Sequence, residues 1–166
     1  FSLAPLFAVL WTRLARRGWE PSTPVKFSLG IAQAGLGFGA LVYGAQFPDQ
    51  AGLVSAWWLI LAYLLHTTGE LCLSPVGLSA VTKLALPSVV GVMMGTWFLA
   101  SAYSSYVAAQ IATIAARPAT EATLDRAGAL AGYTDLFGQL LTIGLAGGAV
   151  LIVLSPVLRR LMHGVR

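Results

Sequence analysis

Apolar residues run along this chain in long, sparsely interrupted stretches, so the intervals between charged side chains are the first informative feature. Twenty-two uncharged residues separate Lys26 from Asp49, 20 separate Asp49 from Glu70, 33 separate Lys83 from Arg117, and 23 separate Asp135 from Arg159. A hydrocarbon core about 30 Å thick takes roughly 20 apolar helical residues. The pattern therefore predicts membrane-spanning helices over about 24–46, 53–84, 88–115 and 133–160. Ahead of them, Phe1 to Thr12 gives 12 uncharged residues before Arg13, which reads as the second half of a helix over about 1–13. A signal-peptide core is the alternative, but there the basic residues precede the apolar run, and here they follow it.

Local chemistry marks where the helices open. Thr23 followed by Pro24 reads as an N-cap with proline at the first helical position, where its missing N–H costs nothing. Pro87-Ser88 and Thr134-Asp135 are the corresponding openings further on, and the segment from Arg117 to Gly132, with Pro118 in it, is expected to be a loop.

Composition supports this reading. The 166 residues are 57% hydrophobic and 10% charged, with a mean hydropathy of +0.79, against about 45–50% and 25% in soluble domains. A net charge of +4 comes from residues too few and too scattered to line a nucleic-acid groove, so no nucleic-acid partner is expected. The basic residues report topology instead. Arg13, Arg16, Arg17 and Lys26 precede the first complete span, Lys83 lies between the second and third, and Arg159, Arg160 and Arg166 follow the last, leaving only Arg117 and Arg126 for the other side. By the positive-inside rule the C-terminus is cytoplasmic, in an integral protein of the plasma (inner) membrane. The single cysteine, Cys72, excludes an internal disulfide framework and a multi-cysteine metal site.

Glycine pairs predict how the spans meet. Gly35 with Gly39, Gly91 with Gly95, and Gly144 with Gly148 are small-xxx-small pairs on three different helices, a spacing that lets backbones approach closely in lipid. The run Gly35, Gly37, Gly39 is not a phosphate-binding fingerprint, because it lies mid-span with no strand before it.

One acid stands where acids are expensive. Glu70 is 13 residues from Trp57 and 13 from Lys83, about 20 Å from each at 1.5 Å per residue, which is the bilayer midplane if the tryptophan pair and the lysine mark the two interfaces. A carboxyl there costs a few kcal/mol and is a functional candidate by default. Stepping 100° per residue puts Tyr63, His66, Thr67, Ser74 and Gly77 on its face of the helix, a polar stripe suited to a bundle interior or a water-filled path. Pro75 is expected to kink or unwind the helix beside it, and broken helices at the midplane are where secondary transporters bind substrate and ions. The plainer reading is a structural acid satisfied by His66 or by a basic residue elsewhere. His66 and Glu70, four apart, make two metal ligands without a third, so no metal is expected. On the next helix Trp97, Ser101, Ser104 and Ala108 share a face that can wall a pocket, with packing as the alternative for Trp97; Met93 and Met94 read as packing residues.

The segment Gly69-Glu70-Leu71-Cys72-Leu73-Ser74-Pro75-Val76-Gly77-Leu78-Ser79-Ala80-Val81-Thr82-Lys83-Leu84-Ala85 resembles the tenth transmembrane helix of proton-dependent oligopeptide transporters, a branch of the major facilitator superfamily. Met93-Met94-Gly95-Thr96-Trp97-Phe98-Leu99-Ala100 resembles that family's eleventh helix, Pro21-Ser22-Thr23-Pro24-Val25-Lys26-Phe27 precedes its ninth, and Leu161-Met162-His163-Gly164-Val165 closes the match. The resemblance implies an all-α polytopic fold, part of the C-terminal six-helix bundle from the end of helix eight to helix twelve, whose partner is an N-terminal half outside this sequence. It implies a proton-coupled symporter of di- and tripeptides working by alternating access, with protons as coupling ions and no cofactor. Glu70 corresponds to the family's cavity glutamate, which contacts the substrate amino terminus and takes part in coupling. Trp97 matches a cavity tryptophan, and Ser74 shares the wall with Glu70; Tyr63, His66, Thr67 and Ser101 are further cavity-lining candidates. Where many members carry Asn-Tyr in helix eleven, this chain has Ser105-Tyr106. A facilitator branch carrying drugs or a nitrate-like anion is the alternative substrate class. A membrane-embedded enzyme is disfavoured, since the sequence has neither GxSxG nor HExxH.

Overall fold

The structure is a computed structural model that describes residues 3–19, 21–50, 52–121 and 126–162. Phe1, Ser2 and the His163–Arg166 end, which figure in the expectations above, lie outside the described residues. The described chain is built of helices: α1 (Leu3–Arg16), α2 (Thr23–Gly44), α3 (Ala56–Leu84), α4 (Val90–Glu121) and α5 (Arg126–Leu161). By length and apolarity α2, α3 and the Leu130–Leu161 part of α5 are each long and apolar enough to cross a membrane. At 32 residues α4 has the length, but the hydroxyls of Ser101, Tyr103, Ser104, Ser105 and Tyr106 make it more polar.

Several helix ends differ from the expectation, each for a local reason. The N-cap of α2 is Ser22, one residue ahead of Thr23, and Thr23 is buried inside the first turn. α5 begins well before Thr134-Asp135, and the Thr134 hydroxyl donates to the Leu130 carbonyl at 2.8 Å, so it bonds within the helix and does not cap it. The expected loop from Arg117 to Gly132 is helical through Glu121 and again from Arg126. α3 continues unbroken through Pro75, so the expected unwinding does not occur. A proline removes one bond from the ladder, and the bonds on either side of it hold the remaining turns.

α2 is the centre of the packing, lying along both α5 and α3, while α4 touches α3 and α5 lightly. Missing side chains make this possible. A Cβ built on Gly35 would lie 3.1 Å from the Gly144 Cα, and one on Gly148 would lie 3.1 Å from the Ser28 carbonyl oxygen. Ser28, fully buried, donates its hydroxyl to the Gly148 carbonyl at 2.7 Å across the same α2–α5 seam. On the other side Gly30 and Gly69 face each other, and Gly44 takes the Trp58 ring. Lipid supplies no hydrophobic drive for helix association, so close contact and interhelical hydrogen bonds do this work. Gly91 and Gly95 do not follow the expectation: neither has an atom within 4 Å of its Cβ position, because α4 stands away from the other helices.

Few apolar side chains are buried; among the described residues they are Pro24, Ala62 and Cys72. Leu, Ile, Val and aromatic side chains lie exposed along every helix, an arrangement that suits hydrocarbon around the bundle and not water.

Lys26, one of the basic residues counted for topology, also packs within the bundle. It sits in the first turn of α2, only 5% exposed, with its Nζ 5.0 Å from the centroid of the Trp11 ring on α1. An ammonium over an indole face contributes about 0.5–2 kcal/mol, more when desolvated. Trp11→Leu, which keeps an apolar side chain and removes the π face, is therefore expected to lower the thermal midpoint of the purified protein by a few degrees. An unchanged melting curve would remove this contact from the stabilising set.

Candidate functional site

Glu70 projects from the middle of α3 as an exposed side chain and makes no hydrogen bond or ion pair among the described residues. Ser74, one turn on, is also exposed, as are Tyr63 and Thr67 on the other side of Glu70. The exposed polar stripe read from helical periodicity is thus present at these four positions.

His66 leaves it. Its Nε2 lies 3.0 Å from the Ala34 carbonyl of α2, which can only accept, so this nitrogen carries the proton. The ring stands 4.7 Å from that of Phe38 and presses against Gly37, where a Cβ would overlap it. The side chain is committed to the α2–α3 contact, neither satisfying Glu70 nor lining its open face. Thr68, two residues before Glu70, is tied to the same helix through Gln33. Periodicity placed His66 within the angular range of Glu70 but could not say that α2 lies at that edge.

Trp97 comes from α4 and is half-buried. The far edge of its indole rests over Gly77 of α3: a Cβ there would overlap Cη2 and lie 2.7 Å from Cζ2, with Cζ of Phe27 at 2.9 Å. Gly77 is seven residues beyond Glu70, two helical turns or about 10 Å, and on the same face. The structure therefore places Glu70, Ser74 and the Trp97 indole in order along one side of α3. Ser101, a turn above Trp97, is exposed and donates to the Trp97 carbonyl at 3.1 Å; Ser105 does the same to Ser101. Such back-bonding satisfies the hydroxyl hydrogens and leaves their lone pairs to accept from a ligand.

Two of the hollows among the described residues bear on the site. One of about 390 Å³ lies beyond Trp97, walled by Phe27, Gly77, Val81, Met93, Trp97 and Leu151 and running to Ala85 and Met162. Its lining is almost wholly apolar. The other, about 970 Å³ and open, lies along α5 beside Asp135, Gln139 and Thr142 and contains none of the candidate residues. We assign the candidate site to the α3–α4 side, where an unpaired acid, a hydroxyl and an aromatic slab converge, and not to the larger groove. Periodicity put Gly77 on the acid's face but could not show that the Trp97 ring edge seats there, and nothing in the pattern pointed to Phe27 beside it.

Long apolar helices with Leu, Ile, Val and aromatic side chains exposed along them mark a membrane-embedded bundle. The comparisons agree. The PTR2 profile of the POT family matches residues 3–130. The chain is 44% identical to an uncharacterised transporter of Bacillus subtilis, YclF, over 98% of this chain and 30% of that protein. It is 36% identical to dipeptide and tripeptide permease B of Aeromonas hydrophila, over 96% of this chain and 32% of the permease. Among solved structures, the crystal structure of the peptide transporter POT in complex with sulfate superimposes with a TM-score of 0.77 at 36% identity, covering 96% of this chain and 29% of the other. The chain belongs to the POT family and is part of an integral membrane protein. It spans about a third of the length of the curated relatives it matches.

Proposed function

We propose that this chain forms part of the C-terminal bundle of a proton-coupled symporter of di- and tripeptides. The observation that carries the reading is the alignment of Glu70, Ser74 and the Trp97 indole along one open side of α3, within a chain that resembles named dipeptide and tripeptide permeases along nearly its whole length. In this reading the peptide's ammonium pairs with the Glu70 carboxylate, the Ser74 and Ser101 hydroxyls contribute hydrogen bonds, and a substrate side chain lies against Trp97. Tyr63 and Thr67 extend the same wall.

The partner surface is the N-terminal half of the transporter. Protonation of carboxyls, Glu70 among them, weakens a charge pair across the central cavity, and the halves rock to the other access state. The C-terminus is cytoplasmic in a plasma membrane, as the basic residues indicate, and no cofactor takes part.

The test is uptake by the full-length transporter in proteoliposomes. Labelled dipeptide accumulates when the outside is acid, and unlabelled dialanine competes for it. Competition by nitrate or by a hydrophobic cation in place of dialanine would assign the protein to another facilitator branch.

A further inference from the structure

We propose that Gly77 and Phe27 are positioning residues that set where the Trp97 indole stands, and with it the size of substrate side chain the site accepts. This rests on Trp97 facing the substrate, as proposed above.

The indole of α4 reaches the α3 backbone only because residue 77 has no side chain. A Cβ there would overlap Cη2 and lie 2.7 Å from Cζ2. Phe27, from α2, crowds the same point, its Cζ 2.9 Å from that Cβ position. Three helices thus meet at one ring edge, in a part of the bundle where α3 and α4 otherwise touch little. Gly77 is buried and shares the face of Glu70 and Ser74, so a methyl group added there pushes the indole off α3 and into the space beside those two residues.

Behind the ring the situation is the reverse. The apolar hollow of about 390 Å³ begins at Trp97, Gly77 and Phe27 and runs away from Glu70 toward Ala85 and Met162. Phe27 and Trp97 both line this hollow, so a smaller side chain at position 27 widens it and gives the indole room to sink back. The two substitutions therefore move the ring in opposite directions.

The experiment measures, in the full-length transporter, the ratio of KM for phenylalanyl-alanine to KM for dialanine. Gly77→Ala is expected to raise this ratio about tenfold, the scale on which a few atoms of pocket discriminate. Phe27→Leu is expected to lower it. Because both act through the indole, neither substitution should move the ratio in a Trp97→Ala background, whereas a general loosening of the bundle would move it equally with or without the ring. If Gly77→Ala does not accumulate in the membrane, Phe27→Leu with and without Trp97 decides alone. Ratios unchanged by these variants, or shifts that persist without Trp97, overturn the proposal. If Trp97→Ala itself leaves the ratio unchanged, the substrate-facing role of Trp97 fails, and the proposal fails with it.

Discussion

Glu70→Gln is expected to reduce proton-driven dialanine uptake by the full-length transporter roughly tenfold to a hundredfold, with normal amounts of protein in the membrane. Glutamine keeps the shape and much of the hydrogen-bonding capacity of the carboxylate but carries no charge and binds no proton at neutral pH. A charged hydrogen bond contributes about 1.5–3 kcal/mol, and each 1.4 kcal/mol is a factor of ten. Glu70 is exposed and makes no hydrogen bond or ion pair among the described residues, so no contact within this part of the bundle depends on its carboxylate. Loss of uptake with an unchanged melting temperature is the expected result. A parallel fall in accumulation and stability would restore the structural acid, and full uptake would remove Glu70 from the mechanism.

The second large effect is on folding. Gly144→Ala is expected to destabilise the bundle by about 1–3 kcal/mol, the usual cost of forcing atoms into a packed seam. The added Cβ would lie 2.6 Å from the Gly35 Cα and 3.0 Å from its amide nitrogen, so the neighbour is backbone and cannot turn aside. Gly147 on the same helix supplies the control. Its Cβ would rest 3.6 Å from the Ile31 side chain, an ordinary contact, and alanine there also favours the helix over glycine. Gly147→Ala should melt no lower than the parent. Equal melting temperatures for the two variants would show that the α2–α5 seam yields more easily than its geometry implies.

Much of the architecture was legible in the sequence because the bilayer imposes a length on apolar runs, and charged residues punctuate them. The stripe of Tyr63, Thr67, Glu70 and Ser74 was legible for a similar reason, since helical periodicity alone decides which residues share a face. What periodicity cannot supply is the neighbour. His66 falls on the correct arc but bonds to the Ala34 carbonyl of α2, and Lys26, read as a topological charge, is folded in beneath Trp11. The Gly91 and Gly95 pair has the spacing of a packing motif, but α4 brings nothing to meet it, whereas Gly35 and Gly144 do meet. Turn chemistry also misled at Thr134, whose hydroxyl serves equally well inside a helix as at its start.

The central position of α2 has an evolutionary consequence. Its glycines carry the contacts on both flanks, while the exposed acid, hydroxyl and indole stand on α3 and α4. In the proposed reading, substitutions on the open faces of α3 and α4 retune which peptides are taken without disturbing the seams that α2 makes. Substrate choice and a durable fold then rest largely on separate residues, and one point where they meet is Gly77, which both the Trp97 ring and Phe27 of α2 approach.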